Sequence, residues 1–188
     1  MFFATRPSPE RIATFLRNSQ TLPLSYGPVG LLDAPGARQV DEAQVAIGSG
    51  PDDFARACAA LGRWQQFDVG WVTTYPRQAP IAAGTSVAVL IRHLGFWSLN
   101  GCRVVYQVDA RDAGTRFGYA YGTLPNHAEA GEELFEVAMD PRTLVVTYRI
   151  RATSWPHAAL AHLGRPIVRH LQARFRRDSL AAMARAMR

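Results

Sequence analysis

Apolar residues recur with the period of an α-helix in three parts of the chain. The first helix is predicted over residues 8–18 and the second over residues 51–62, where Gly62 provides a stop signal. A short strand over residues 39–47 separates them. After residue 156 the helical period returns, with one apolar stripe made of Leu160, Leu163, Ile167, Leu171, Phe175, Ala182 and Ala186. Gly164 and Pro166 interrupt this stripe, so a short helix or a kink is expected before one long C-terminal helix.

From residue 85 the apolar period changes to two, which is typical of strands with one buried face. Five such segments follow one another, joined by short turns, and indicate an antiparallel meander. We therefore predict an α+β fold in which a curved antiparallel sheet wraps around the long C-terminal helix. Two smaller N-terminal helices are expected to close one end of this sheet.

The last predicted hairpin allows its register to be proposed. Residues 140–143 have the composition of a type I turn, with Asp at the first position and Pro at the second. A hairpin closed there sets Phe135 opposite Tyr148 and keeps both side chains on the apolar face. The same register sets Glu132 opposite Arg151, as a structural charge pair on the outer face.

Composition favours one folded domain over residues 1–188. The chain has 48% hydrophobic and 19% charged residues, which excludes general disorder. No apolar run is long enough for a membrane span or a signal peptide, so we expect a cytoplasmic location. Two cysteines without a CxxC pair, and scattered histidines, predict neither a metal site nor a cofactor. The oligomeric state stays open.

The positive charge is concentrated at the C-terminal end. All 21 basic residues are arginines, and the segment from His157 onward holds seven arginines and one acid, which accounts for the net charge of +6. The simplest interpretation is the solvated face of an amphipathic helix, and we expect Arg169, Arg174, Arg176 and Arg177 to face solvent. Binding to a nucleic acid or an anionic surface is kept as an alternative, but no aromatic residues interleave with the arginines to stack on bases.

Two motifs resemble a known family. The segment from Tyr119 to Phe135 and the run Tyr26-Gly27-Pro28-Val29-Gly30 resemble the uncharacterised domain-of-unknown-function family numbered nineteen-ninety. A serine at position 154, Pro166 and residues 172–175 extend the resemblance over most of the chain. The resemblance implies a helix-grip fold, as in START-like and pollen-allergen-like proteins, with a ligand cavity. It implies no reaction.

The alternating pattern suggests a binding site for a small, partly apolar ligand between the sheet and the C-terminal helix. Glu133 shares the predicted inner face with Phe135 and would place one carboxylate among aromatic side chains. The alternative is that Glu133 is a structural tie to the loop at residues 123–131. The predicted ligand-binding residues are Tyr106, Phe117, Tyr119, Tyr121, Glu133, Phe135 and Tyr148.

Catalysis in the same cavity is the rival hypothesis. Glu133 or His127 would serve as general acid or base, with Glu129 near His127 in the loop. The structural interpretation of His127 is a hydrogen bond within its own loop. No nucleophile elbow, phosphate-binding glycine loop or Ser/His/Asp arrangement is evident, so the sequence favours binding over an enzyme.

Overall fold

The computed structural model describes residues 1–33, 39–156 and 165–188, except for the side chain of Arg165. Leu160 and Leu163 of the predicted apolar stripe lie outside the described residues. In chain order the described elements are β1 (Phe2–Phe3), α1 (Pro9–Ser19), β2 (Asp41–Ser49), α2 (Gly50–Gly62), a 3-10 helix (Gln65–Phe67), β3 (Val72–Tyr75), β4 (Ser86–His93), β5 (Phe96–Ala110), β6 (Arg116–Thr123), β7 (Glu129–Met139), β8 (Val145–Pro156) and α3 (Arg165–Ala186).

The strands form a single antiparallel sheet in the order β2-β8-β7-β6-β5-β4-β3, with β1 paired to the start of β5. One face of this sheet, which we call the inner face, packs against α2, the 3-10 helix and α3. Large side chains fill the space between them because apolar burial drives the sheet and helices together. The largest fully buried members of this core include Tyr119, Tyr148, Phe135, Leu61, Ile150 and Met183.

The outer face of the sheet is covered as well. Helix α1 packs Ile12 and Phe15 against Leu90 and Leu99 on the outer side of β4 and β5. The prediction that α1 and α2 together close one end of the sheet is therefore wrong for α1. Residues 20–33, which we call the outer segment, cross the central strands and place Leu32 on Ala120 and Leu134. Burial on both sides explains why β6 has almost no exposed residue.

The predicted register of the last hairpin is wrong by two residues. The Asp140 N–H donates to the Val145 carbonyl at 3.0 Å and the Leu144 N–H donates to the Asp140 carbonyl at 2.8 Å, so the loop is two residues longer than a type I turn. Phe135 consequently lies opposite Ile150. A shift of two residues preserves the side to which each residue points, so the apolar face is as predicted.

A β-bulge in β5 reverses the orientation of the second half of that strand. Val104 pairs with Tyr121, but Tyr106 pairs with Ala120, which leaves Val105 as the extra residue. Val104 belongs to the inner core, whereas Tyr106 packs on the outer face. The prediction that Tyr106 lines the inner face is therefore wrong.

Helix α3 contacts the inner core through a stripe that differs from the predicted one. Ser179, Ala182 and Met183 are its buried residues, and Leu171 and Phe175 are partly buried against the same core. Ile167 has 48% of its surface exposed, so its predicted burial against the sheet is wrong.

Candidate functional site

The inner face brings together the predicted ligand-binding residues other than Tyr106. Tyr119 pairs with Phe135 and Tyr121 pairs with Glu133 across β6 and β7. On the other side of β7, Val137 pairs with Tyr148 of β8. The set that shares the inner face is Phe117, Tyr119, Tyr121, Glu133, Phe135 and Tyr148.

Aromatic rings from the helical side fill the centre of this face. The ring centroid of Phe67 lies 5.4 Å from that of Phe135, and Trp64 lies 4.8 Å from Tyr119. Phe175 of α3 completes the cluster at 6.3 Å from Phe135. Trp64 and Phe67 are therefore packing residues of the inner core. The centre of the inner face is therefore occupied by side chains of the protein itself.

Glu133 is the polar group at the margin of the aromatic cluster. Its Oε2 accepts a hydrogen bond from the Tyr121 hydroxyl at 2.7 Å, and the residue as a whole is half-buried. Burial raises the pKa of Glu133 to about 7, although the Tyr121 hydrogen bond and the positive charge of Arg176 act in the opposite direction. The carboxyl group can therefore exchange a proton near neutral pH.

Arg176 reaches this side of the molecule from α3. Its guanidinium lies 3.1 Å from the Asp41 carboxylate, and only 19% of its side chain is exposed. The expectation that Arg176 faces solvent is therefore wrong. Arg174 is also engaged, with its guanidinium carbon 4.5 Å from the Trp71 ring centroid, whereas Arg169 and Arg177 are exposed.

Two further polar pairs lie within the inner core. The Gln66 amide donates to the Tyr119 hydroxyl, and the Tyr148 hydroxyl lies 3.0 Å from the Ser179 hydroxyl. Burial raises the pKa of Tyr119 and of Tyr148 well above the ordinary range. Both hydroxyls therefore stay protonated and serve as hydrogen-bonding groups.

His127 lies in the loop between β6 and β7. Its ring Nδ1 accepts a hydrogen bond from the backbone N–H of Glu129 at 2.9 Å, and the backbone N–H of His127 donates to the Leu124 carbonyl at 2.8 Å. The Glu129 carboxylate in turn accepts from the Ser154 hydroxyl at 3.0 Å. This geometry supports the loop-stabilising interpretation of His127.

Sequence reasoning placed Glu132 on the outer face but missed that its carboxylate is buried there. Glu132 lies opposite Thr153, so the predicted cross-strand pair with Arg151 does not form. Its Oε2 accepts hydrogen bonds from the Tyr26 hydroxyl and the Gly30 N–H, both at 2.9 Å. Its Oε1 accepts one from the Tyr106 hydroxyl at 3.0 Å, and the residue is only 2% exposed.

This cluster fastens the outer segment to the sheet. Arg103 donates to the Leu22 carbonyl near the start of the segment and Arg151 donates to the Leu32 carbonyl near its end, each at 2.8 Å. A Cβ atom on Gly122 would lie 2.3 Å from the Tyr26 hydroxyl oxygen, so only glycine permits this approach. The sequence contained an indication of this contact, because Tyr26 and Glu132 each lie in one of the two motifs that carry the family resemblance.

Among the described residues, no group of three or more His, Cys, Asp or Glu side chains is placed to hold a metal ion. None of the helices in this part of the chain has the length and apolar character needed to cross a membrane.

A sheet curled around a C-terminal helix defines the helix-grip class of folds, and solved structures agree. The protein TTHA0849 from Thermus thermophilus matches with a TM-score of 0.52 and 12% identity, over 79% of this chain and 97% of that one. The Zhui aromatase/cyclase from Streptomyces sp. R1128 matches with a TM-score of 0.50 and 10% identity, over 79% and 93%. At these identities the likeness establishes the fold alone, and it confirms the predicted fold class.

Sequence relatives then identify the family. The family model described as Domain of unknown function (DUF1990) matches residues 25–182. A UPF0548 protein of Dictyostelium discoideum is 38% identical over 156 residues, which cover 79% of this chain and 72% of the relative. A UPF0548 protein of Deinococcus radiodurans is 33% identical over 202 residues, which cover 99% and 98%. The chain belongs to this family, and the resemblance predicted from its motifs is confirmed.

Proposed function

We propose that the protein binds a small, partly apolar molecule beside Glu133 on the inner face. The observation that carries the proposal is a carboxyl group with one hydrogen-bond donor, on a half-buried residue at the edge of an aromatic cluster, whose pKa burial raises to about 7. A desolvated carboxylate with few donors is costly, whereas a ligand that donates to it offsets that cost.

The surroundings of Glu133 suggest the chemistry of the ligand. A carboxylate offers about four lone-pair positions, and Tyr121 uses one of them. The polar end of the ligand is therefore a hydrogen-bond donor, such as a hydroxyl or an amine. Val45, Leu171 and Phe175 are partly exposed apolar residues packed on the same core, and they suit an apolar body.

Native mass spectrometry of freshly purified protein tests this proposal. We expect the parent to carry a small molecule, and Glu133→Gln to lose it while keeping its fold, because the amide preserves the shape of the side chain. Glu42→Gln is the matched control, since Glu42 is an exposed carboxylate on the edge strand β2, which β8 separates from β7. Retention of the same molecule by Glu133→Gln would contradict the anchoring role.

A second candidate function is catalysis with Glu133 as a general acid or base. A carboxyl group with a pKa of about 7 is matched to proton transfer at neutral pH. An aromatase/cyclase has a similar fold, so an enzyme is compatible with this architecture. If the co-purified molecule is turned over, Glu133→Gln is expected to abolish turnover, and loss of turnover with binding retained would favour catalysis over simple binding.

The C-terminal arginines lend little support to nucleic-acid binding. Arg176 is paired with Asp41, and Arg174 lies over Trp71 and 3.4 Å from Asp178. The guanidinium groups of Arg174 and Arg176 are thereby engaged by residues of the protein itself. We therefore do not propose a nucleic-acid partner. The single domain and the cytoplasmic location remain predictions from composition.

A further inference from the structure

An apolar patch projects from one tip of the sheet, where β1 lies beside the turn between β4 and β5. Phe2, Leu94 and Phe96 are 66%, 70% and 54% exposed. The Phe2 ring lies 6.1 Å from the ring of His93, and His93 pairs with Phe96 across the turn. The three side chains are therefore neighbours, and we call them the apolar tip.

Leu94 is an unexpected residue for its position. Leu94 and Gly95 have φ angles of 49° and 80°, which is the pattern of a type I′ hairpin turn. Such turns favour Asn, Asp or Gly at the first position, because other side chains are strained in the left-handed region. Leucine here serves neither the turn nor the core. Beside the exposed side chains of Phe2 and Phe96, Leu94 completes an exposed apolar patch, and a patch of this kind indicates a binding surface.

Three arginines lie at the same end of the sheet as the apolar tip but on its outer face, whereas Phe2 and Phe96 lie on the other face. The guanidinium carbons of Arg6 and Arg92 lie 5.6 Å and 5.9 Å from the Trp97 ring centroid, and that of Arg11 lies 5.2 Å from Phe3. None of the three arginines forms an ion pair with any residue that the structure describes. Their charge is available to an outside partner.

We propose that the apolar tip inserts into the interfacial region of a membrane that contains anionic lipids, with the three arginines contacting the headgroups. A bilayer of this kind offers both apolar depth and negative charge at its surface.

Co-sedimentation of the full chain with vesicles tests the proposal. We expect binding to phosphatidylcholine vesicles that contain phosphatidylserine, weaker binding to pure phosphatidylcholine, and weakening by salt. Leu94→Asn combined with Phe96→Ser is expected to lower the partition coefficient by about tenfold or more, because two apolar side chains no longer insert. Asparagine suits the turn, and a thermal melt checks that the variant is folded.

Leu144→Asn is the matched control. Leu144 is also left-handed, with a φ angle of 59°, and is 44% exposed, but it lies in the β7–β8 loop at the opposite end of the sheet. The Leu144→Asn variant is expected to bind vesicles as strongly as the parent does. Absence of parent binding, equal losses in both variants, or a Leu94-dependent dimer without vesicle binding would each overturn the proposal.

Discussion

Glu132 and Glu133 are adjacent residues with the same side chain but different surroundings. Successive residues of a strand point to opposite faces, so Glu132 enters the outer cluster and Glu133 the inner face. Glu132 accepts three hydrogen bonds from Tyr26, Gly30 and Tyr106, whereas Glu133 accepts one from Tyr121. The number of donors therefore distinguishes a structural carboxylate from one that a ligand can still approach.

The raised pKa of Glu133 predicts how stability varies with pH. Because the pKa is about 7 in the folded state and lower when unfolded, folding favours the protonated form. The contribution is fully present below the unfolded pKa and is lost as pH rises through 7. Urea unfolding of the parent should show a fall of up to about 1.4 kcal/mol per pH unit between about pH 5 and pH 7, beyond any fall in Glu133→Gln.

The comparison with Glu133→Gln isolates this residue, since all other titrating groups are shared. If parent and variant show the same dependence of the free energy of unfolding on pH, Glu133 has no raised pKa. The proton exchange on which the catalytic alternative depends would then be absent.

At the scale of elements, the alternating pattern predicted which residues of the central strands face the inner core, except after the bulge in β5. The bulge adds one residue to β5, so the Tyr106 side chain points to the outer face instead of the inner face. No pattern in the sequence indicates this extra residue. The length of the β7–β8 loop could not be predicted either, because the dipeptide Asp140-Pro141 is compatible with a short turn and with the longer loop that the structure shows. These two irregularities led Tyr106 to be assigned to the inner face and Glu132 to an exposed ion pair.

The packing of α3 gives a prediction at the same scale. Met183 is fully buried, so Met183→Ala should lower the free energy of unfolding by about 2–5 kcal/mol. Ile167 is 48% exposed, so Ile167→Ala should change it by less than about 0.5 kcal/mol. Chemical denaturation of both variants measures the difference. Equal losses would show that α3 is rotated from the orientation described.

At the scale of the whole molecule, the order of elements and the family motifs were enough to predict the helix-grip fold. The position of the outer segment, residues 20–33, was not predicted. Its apolar residues follow neither the helical nor the strand period, and polar contacts between distant parts of the chain hold it in place. Tyr26 and Glu132, for example, are 106 residues apart in sequence. The sheet consequently separates a satisfied polar cluster outside from an incompletely satisfied carboxyl group inside.

This separation predicts energetic independence of the two faces. Tyr26→Phe and Tyr106→Phe each remove a donor to Glu132, so their effects on the free energy of unfolding should couple. Tyr26→Phe and Glu133→Gln act on opposite faces and should add within about 0.5 kcal/mol. Double-mutant cycles by urea denaturation measure both pairs under the same conditions. Coupling across the sheet as large as that between the two tyrosines would mean that the outer segment helps to set the environment of Glu133, and that the two clusters act as one site.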